Sequence, residues 1–152
     1  MSNTINETQK FFEIAVPNIT ESNQNVQYGV HFEEFREMLD EMTIPKYQKE
    51  LEILAEYVKI LAEALKKDKE VKVIIKDRKA MLDAISDQLV TGTGVGYMLG
   101  FDVIGALNEV NRSNFSKLVN GLPIFNEFGK IAKGHNYTSP FLDSYVGENP
   151  VA

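Results

Sequence analysis

Hydrophobic residues recur at helical spacing over most of residues 4–118, and the stretches between them are short and polar. Pro17 ends the first periodic stretch, Pro45 interrupts the second, and Asp77 is placed to cap a later one. Residues 18–25 are polar and predict a loop, while residues 70–75 alternate like a strand without a partner and predict an extended connector. The pattern predicts helices over residues 4–15, 30–41, 46–67, 77–99 and 102–118.

The predicted helix over residues 30–41 has an apolar stripe beside an acidic one. Its apolar stripe consists of Phe32, Phe35, Leu39 and Met42, which recur at helical spacing and predict a core-facing side. Glu33, Glu34 and Glu37 fall on a different face, within little more than a quarter turn of one another. Taken alone, this acidic stripe is typical of a solvated helix face, but it is also a candidate set of metal ligands.

The predicted helix over residues 77–99 is apolar or small on almost every side beyond Asp87, which predicts a buried helix. Asp83 and Asp87 share a face of it, and a buried carboxylate needs a partner. A bound metal ion is the simplest partner, and a salt bridge to a distant lysine is the alternative. Five carboxylates from two helices would make a site for Mg²⁺ or Mn²⁺, which suits phosphate chemistry.

Glycines in the same helix indicate close packing. Gly92, Gly96 and Gly100 are spaced by four and leave one helix face without side chains. This spacing favours packing against another helix or subunit. A phosphate-cradling loop is disfavoured, because neither a preceding buried strand nor the dinucleotide-binding glycine spacing is secure.

The chain beyond Asn120 is rich in glycine and proline and is predicted to be irregular. The predicted architecture is therefore an all-α bundle of four to five helices with an irregular C-terminal tail. We expect one domain over residues 1–152, with a core at about residues 28–118 and a C-terminal segment at residues 119–152. That segment holds Lys130 and Lys133 in a glycine-framed loop that continues to Asn136 and Tyr137, a candidate phosphate clamp or a solvated basic tail.

Composition narrows the class of protein. The 152 residues include no cysteine, which excludes disulfides, cysteine zinc sites and a thiol nucleophile. The net charge of -6 argues against a nucleic-acid-binding surface. The N-terminus lacks a basic region followed by an apolar run, and residues 89–101 are too few to span a bilayer. We expect no membrane partner and a cytoplasmic location. Without a convincing histidine base, metal-activated water is the chemistry left.

Four elements in order resemble the all-α nucleoside triphosphate pyrophosphohydrolases, the superfamily of MazG, the dimeric dUTPases and phosphoribosyl-ATP pyrophosphohydrolase. The resemblance covers roughly residues 28–141 and is strongest to a phage MazG-like group that includes the dGTP/dATP pyrophosphohydrolases called MazZ. The family pattern is Glu-Glu-x-x-Glu followed by Glu-x-x-Asp, and Ala84 stands where the penultimate acid is expected, one position after Asp83. The matching segments are Glu33-Glu34-Phe35-Arg36-Glu37, Asp83 with Asp87, Ser113-Asn114-Phe115-Ser116-Lys117 and Gly129-Lys130-Ile131-Ala132-Lys133-Gly134.

The resemblance implies an enzyme that hydrolyses the bond between the α and β phosphates of a nucleoside triphosphate, with dGTP and dATP as candidate substrates. It implies two or more Mg²⁺ or Mn²⁺ ions and a homodimer or homotetramer, in the host cytoplasm if the chain is phage-encoded. Catalysis is expected from Glu33, Glu34 and Glu37, metal binding from these glutamates with Asp83 and Asp87, and substrate binding from Asn114, Lys117, Lys130, Lys133, Asn136 and Tyr137.

Two other functions stay open. The chain could hydrolyse a different phosphate ester, such as phosphoribosyl-ATP or an alarmone. It could also be a helical interaction module without activity, in which the acidic residues form a solvated surface.

Overall fold

The computed structural model describes residues 3–151, and α-helices dominate it. The described residues contain no β-strand, only two isolated bridges that pair Val119 with Leu122 and Phe125 with Ile131. The predicted all-α class is therefore confirmed. The helices are α1 (Thr4–Ala15), α2 (Glu21–Asp40), α3 (Gln48–Lys67), α4 (Arg78–Met98) and α5 (Val103–Phe115), with short 3-10 helices at Pro45–Tyr47 and Asp143–Tyr145.

Asn3 caps α1 by accepting from the amide of Ile5, and side-chain caps begin three further helices. The Asp77 carboxylate accepts hydrogen bonds from the backbone amides of Lys79 and Ala80 at the start of α4, as predicted. Asp102 caps α5 by accepting from the amide of Gly105 at 2.9 Å. The third cap, at Thr20, begins α2 where the sequence predicted a loop.

The prediction of a loop over residues 18–25 is wrong, because α2 starts at Glu21. Thr20 Oγ1 accepts from the amide of Asn23 at 3.1 Å, and Asn23 Oδ1 accepts from the amide of Thr20 at 3.0 Å. This reciprocal capping box satisfies two amides that would otherwise lack partners at the helix start. It adds about two and a half turns to a helix that the sequence placed at residue 30.

The described chain divides into two compact units. The first, the hairpin unit, comprises residues 18–73 and 125–131 and contains α2 and α3. The second, the α4–α5 unit, comprises residues 3–17, 74–124 and 132–151 and contains α1, α4 and α5.

In the hairpin unit, α2 and α3 pack against each other in antiparallel fashion at very close range. Gly29 is buried, and a Cβ at this position would lie 2.8 Å from the carbonyl oxygen of Ala62 and 2.6 Å from Lys66 Cγ. Only glycine allows this approach of the two backbones. The buried Asn25 side chain donates to the carbonyl oxygen of Val71 at 2.8 Å and fixes the connector after α3.

The predicted apolar stripe of α2 is only partly correct. Leu39 is buried, but Phe32, Phe35 and Met42 are exposed in this chain. The side of α2 that faces α3 instead buries Val26 and Gly29, together with Asn25. Close backbone contact at Gly29, which hydrophobic periodicity does not register, determines which side of α2 faces inward.

In the α4–α5 unit, α1 packs against α5. The Phe11 and Phe115 rings meet edge to face with centroids 5.6 Å apart. Asn111, only 4% exposed, donates to the carbonyl oxygen of Thr4 and accepts from the Thr8 hydroxyl, both at 2.9 Å. These bonds satisfy the buried amide and join the two helices.

Helix α4 is far less covered than its sequence predicts. Gly96 is its one buried residue, while Leu82, Val90, Tyr97 and Met98 are each at least 66% exposed. The prediction of a buried helix is therefore wrong for this chain by itself. Among the described residues no single helix could cross a membrane by length and apolar character; α4 and α5 pass that test only as a pair, bent by 116°.

Candidate functional site

The three predicted glutamates lie on α2 in the hairpin unit, and Glu33 forms ion pairs with two lysines. Its carboxylate accepts from Lys66 Nζ at 2.9 Å and from Lys130 Nζ at 2.8 Å, one lysine on each oxygen. The Glu33 side chain is 28% exposed and that of Lys66 only 9%. Glu34 and Glu37 are exposed on the same helix. The structure thus joins a predicted metal ligand, Glu33, directly to a predicted phosphate-binding residue, Lys130.

The two lysines determine the protonation of Glu33. Burial raises the pKa of its carboxyl, but hydrogen bonds from Lys130 and Lys66 and their positive charges outweigh burial and lower the pKa below the usual 4.5. A general base works best when its pKa is near the operating pH. In this arrangement Glu33 is ionised at neutral pH, pairs with two ammonium groups and is a poor proton acceptor.

Lys66 extends this cluster to Glu63. The Lys66 ammonium is 2.9 Å from a carboxylate oxygen of Glu63, and Lys67 pairs with the other oxygen. Hydrogen bonds from Lys67 and then Lys66 lower the pKa of Glu63 to about 2. Burial lowers the pKa of Lys66, but Glu33 and Glu63 raise it by more, so the ammonium stays charged. Sequence analysis missed Lys66 and Glu63, although their three-residue spacing is that of a helical ion pair.

The two predicted aspartates lie on α4, in the α4–α5 unit. Asp83 and Asp87 are exposed, one helical turn apart, and neither forms an ion pair with any residue that the structure describes. Asp87 is therefore not a buried carboxylate, and burial gives no reason to place a metal ion beside it. What remains is a pair of open carboxylates on one face, which is suitable chemistry for a hard divalent cation.

The five carboxylates are divided between the two units. The glutamates belong to the hairpin unit and the aspartates to the α4–α5 unit. Within residues 3–151 no group of three or more aspartate, glutamate or histidine side chains is placed to hold a metal ion. By donor chemistry Asp83 and Asp87 fit Mg²⁺ or Mn²⁺, whereas Glu33 is already neutralised by Lys66 and Lys130.

Four of the predicted substrate-binding residues do come together, in the α4–α5 unit. Lys117 Nζ donates to Asn114 Oδ1 at 2.7 Å, and Lys133 Nζ lies 4.6 Å from the centroid of the Tyr137 ring. The amide of Gly134 donates to the carbonyl oxygen of Lys117 at 3.2 Å and joins the two segments. We call Asn114, Lys117, Lys133 and Tyr137 the basic cluster. Asn136 is exposed in the same segment, whereas Lys130 belongs to the hairpin unit.

The basic cluster acts on the Tyr137 hydroxyl. Hydrogen bonds with Ser139 and Ser113 lower its pKa, and the charges of Lys133 and Lys117 lower it further. Two ammonium groups therefore lie near this side chain, in a protein whose net charge is -6. Such a site attracts the oxygens of an anionic ligand.

Helix α5 holds the segment that carries Tyr137. The buried Ser113 hydroxyl donates to the carbonyl oxygen of Thr138 at 2.8 Å, and Arg112 donates to that of Ser139 at 3.0 Å. Glu109 accepts from Arg112 and from the amide of Phe141, which lowers the pKa of its carboxyl to about 2. Sequence analysis did not assign Ser113 or Glu109; the three-residue spacing of Glu109 and Arg112 was the available signal.

Comparison of the chain with protein-family models, with curated proteins and with solved structures found no match.

Proposed function

We propose that this protein is a metal-dependent nucleoside triphosphate pyrophosphohydrolase, with dGTP and dATP as candidate substrates. The observation that carries the proposal is the basic cluster. Asn114 and Lys117 at the end of α5 lie beside Lys133 and Tyr137, although these segments are separated along the chain. Two ammonium groups, an amide and a phenol offer the donors that a polyphosphate needs.

In this proposal each residue of the basic cluster has a role in binding. Lys117 and Lys133 neutralise the outer phosphates, and Asn114 and Asn136 contact the sugar, the base or a phosphate oxygen. Tyr137 donates its hydroxyl to the ligand or lies against the base. Lys130, the remaining lysine of the predicted phosphate clamp, is bound to Glu33 in this structure.

The acidic residues supply the metal ligands of the proposal. Asp83 and Asp87 would hold Mg²⁺ or Mn²⁺, and Glu33, Glu34 and Glu37 are the further ligands that the family resemblance implies for two or more ions. When bound, the ions supply neutralisation of phosphate charge and polarise the attacked phosphorus. An ion at Glu33 would take the place of the Lys66 and Lys130 ammonium groups.

A homodimer or homotetramer in the cytoplasm is part of the proposal. Helix α4 supports the oligomer, because leucine, valine, tyrosine and methionine side chains are exposed along most of its length. Large exposed apolar patches usually mark a contact surface. The same surface favours the second candidate function, a helical interaction module without activity. A pyrophosphohydrolase of another phosphate ester would use the same basic cluster.

A nucleotide panel tests the proposal. The common ribo- and deoxyribonucleoside triphosphates are incubated with the protein and Mg²⁺ or Mn²⁺, and monophosphate and pyrophosphate are measured. We expect equimolar release of both products, and a rise of about tenfold in KM for Lys117→Ala, because a charge-assisted contact is lost. Inorganic phosphate as the product, or no monophosphate from any triphosphate, would contradict the proposal; phosphoribosyl-ATP and alarmones are then tried in the same assay.

A further inference from the structure

The hairpin unit contains a cavity of about 460 Å³. None of the predicted catalytic, metal-binding or substrate-binding residues lines it. Its volume falls within the range of about 300–1,000 Å³ typical of small-molecule sites. The cavity lies between the first turns of α2, the last turn of α3, the connector that follows and the turn at residues 127–129. The lining residues are Glu21, Ser22, Asn25, Val26, Leu65, Lys66, Lys67, Asp68, Lys69, Val71, Lys72, Glu127, Phe128 and Gly129.

Lysine is the most frequent residue in this lining, with four lysines. Lys66 and Lys67 are committed to carboxylates, since both bind Glu63 and Lys66 also binds Glu33. Lys69 and Lys72 are exposed and form no ion pair within the described part of the chain. Two ammonium groups are therefore open to a ligand in this cavity.

Two of the three acidic residues in the lining have local structural roles. Glu21 lies in the first turn of α2, where the helix dipole stabilises a carboxylate. Asp68 Oδ1 accepts from the amide of Glu70 at 2.9 Å and shapes the turn after α3. Glu127 is the remaining acid, and the four lysines and three acids of the lining sum to a formal charge of +1.

The cavity also has an apolar side. Val26, Leu65, Val71 and Phe128 contribute to the lining, and Lys67 Nζ lies 5.6 Å from the centroid of the Phe128 ring. A ligand that fits both parts carries an anionic group for the lysines and an apolar or planar group for Phe128. Phosphate is the anion that fits best, because its several strong acceptor oxygens can engage two ammonium groups at once.

We propose that this cavity binds a small phosphate ester, with the phosphate at Lys69 and Lys72 and the apolar part of the molecule toward Phe128. The site is distinct from the basic cluster, which lies in the α4–α5 unit. It goes beyond the proposed hydrolysis, and it stands whether or not the chain cleaves triphosphates.

Site-resolved titration tests the proposal. The ¹⁵N-labelled protein is titrated with AMP, which has a planar base, and with ribose 5-phosphate, which has none. We expect saturating shifts of the amide signals of residues 66–72 and 127–129, and severalfold tighter binding of AMP. The double variant Lys69→Ala/Lys72→Ala should weaken AMP binding at least tenfold, because it loses two charge-assisted contacts. The control Lys49→Ala/Lys76→Ala removes the same charge outside the cavity and should bind within about twofold of the parent.

The proposal is overturned if the amides of residues 66–72 do not shift, or if the control variant weakens binding as much as the cavity variant. Shifts confined to residues near Lys117 and Lys133 would also overturn it, while leaving the pyrophosphohydrolase proposal intact. Equal affinity for both probes would remove Phe128 from the site. If the double variant does not give a folded spectrum, Lys69→Gln and Lys72→Gln are titrated singly, and unchanged affinity in both overturns the proposal.

Discussion

In the hairpin unit the half-buried Glu33 carboxylate is held by Lys66 and Lys130, whereas in the α4–α5 unit Asp83 and Asp87 stand exposed on α4 without an ion pair within residues 3–151. The two helices also differ in packing. The backbone of α2 contacts that of α3 at Gly29, whereas Gly96 is the one buried residue of α4. The contrast separates carboxylates that stabilise the chain from carboxylates that are open to a ligand. A carboxylate whose charge is balanced by lysines stabilises the fold, whereas a carboxylate without such a partner can bind a ligand.

The largest effect is expected at Asp87. In the nucleotide assay, Asp87→Asn should lower the rate of monophosphate release by about a hundredfold or more, because a metal ion contributes several kcal/mol of charge stabilisation. Its thermal unfolding should match the parent, since the side chain is exposed. Asp143→Asn is the control, an exposed aspartate of the same unit, and should keep the parent's rate within about twofold. Unchanged hydrolysis by Asp87→Asn would remove the aspartates from the site.

The packing contrast is tested by one substitution in each helix. Gly29→Ala should lower the free energy of unfolding by about 1–3 kcal/mol, because the new methyl group meets the Ala62 carbonyl and Lys66. Gly92 has nothing within 4 Å of an added Cβ, so Gly92→Ala should raise stability by up to about 1 kcal/mol through helix propensity. Urea denaturation measures both. A destabilised Gly92→Ala variant would mean that another surface covers α4 in solution.

The smallest effect concerns the acid stability of the hairpin unit. The folded pKa of Glu33 lies below its usual 4.5, so its ion pairs stabilise the fold fully above about pH 4.5 and are lost as the pH falls through the folded pKa. Glu33→Gln should therefore cost about 1–2 kcal/mol at neutral pH and much less in acid. Glu37→Gln, at an exposed position of the same helix, is the control and should leave the free energy of unfolding at neutral pH nearly unchanged. The role of the ion pairs would be contradicted if the difference in the free energy of unfolding between the parent and Glu33→Gln stayed constant from neutral pH to pH 3.

Local sequence signals predicted much of the fold. The bounds of α1 are as predicted, and the cap at Asp77 begins α4 as expected. Helix α5 begins at Val103, one residue after its predicted start. The start of α2 was missed because the capping box of Thr20 and Asn23 consists of polar residues, which look like a loop by composition. A local hydrogen-bond pattern, and not hydrophobic periodicity, decided that boundary.

The candidate site was less predictable because its contacts are not local. Glu33 meets Lys130 across 97 residues, and no periodicity connects two such positions. The apolar character of α4 was visible in the sequence, but burial depends on what packs against a helix, and this chain packs little there. By contrast, the segments at Lys117 and Lys133 were predicted to serve the same ligand, and they do lie together.

The hairpin unit is discontinuous along the chain, because residues 125–131 complete a body begun at residue 18. During synthesis, α2 and α3 emerge long before Lys130, so the Lys130 contact of Glu33 cannot form until α4 and α5 have also been made. Closing a loop of 97 residues is slower than forming the more local contacts of α2 with α3. A nascent chain that ends before residue 125 would hold Glu33 with one lysine instead of two. The timing of translation, and not only the final energy, thus bears on how this unit is assembled.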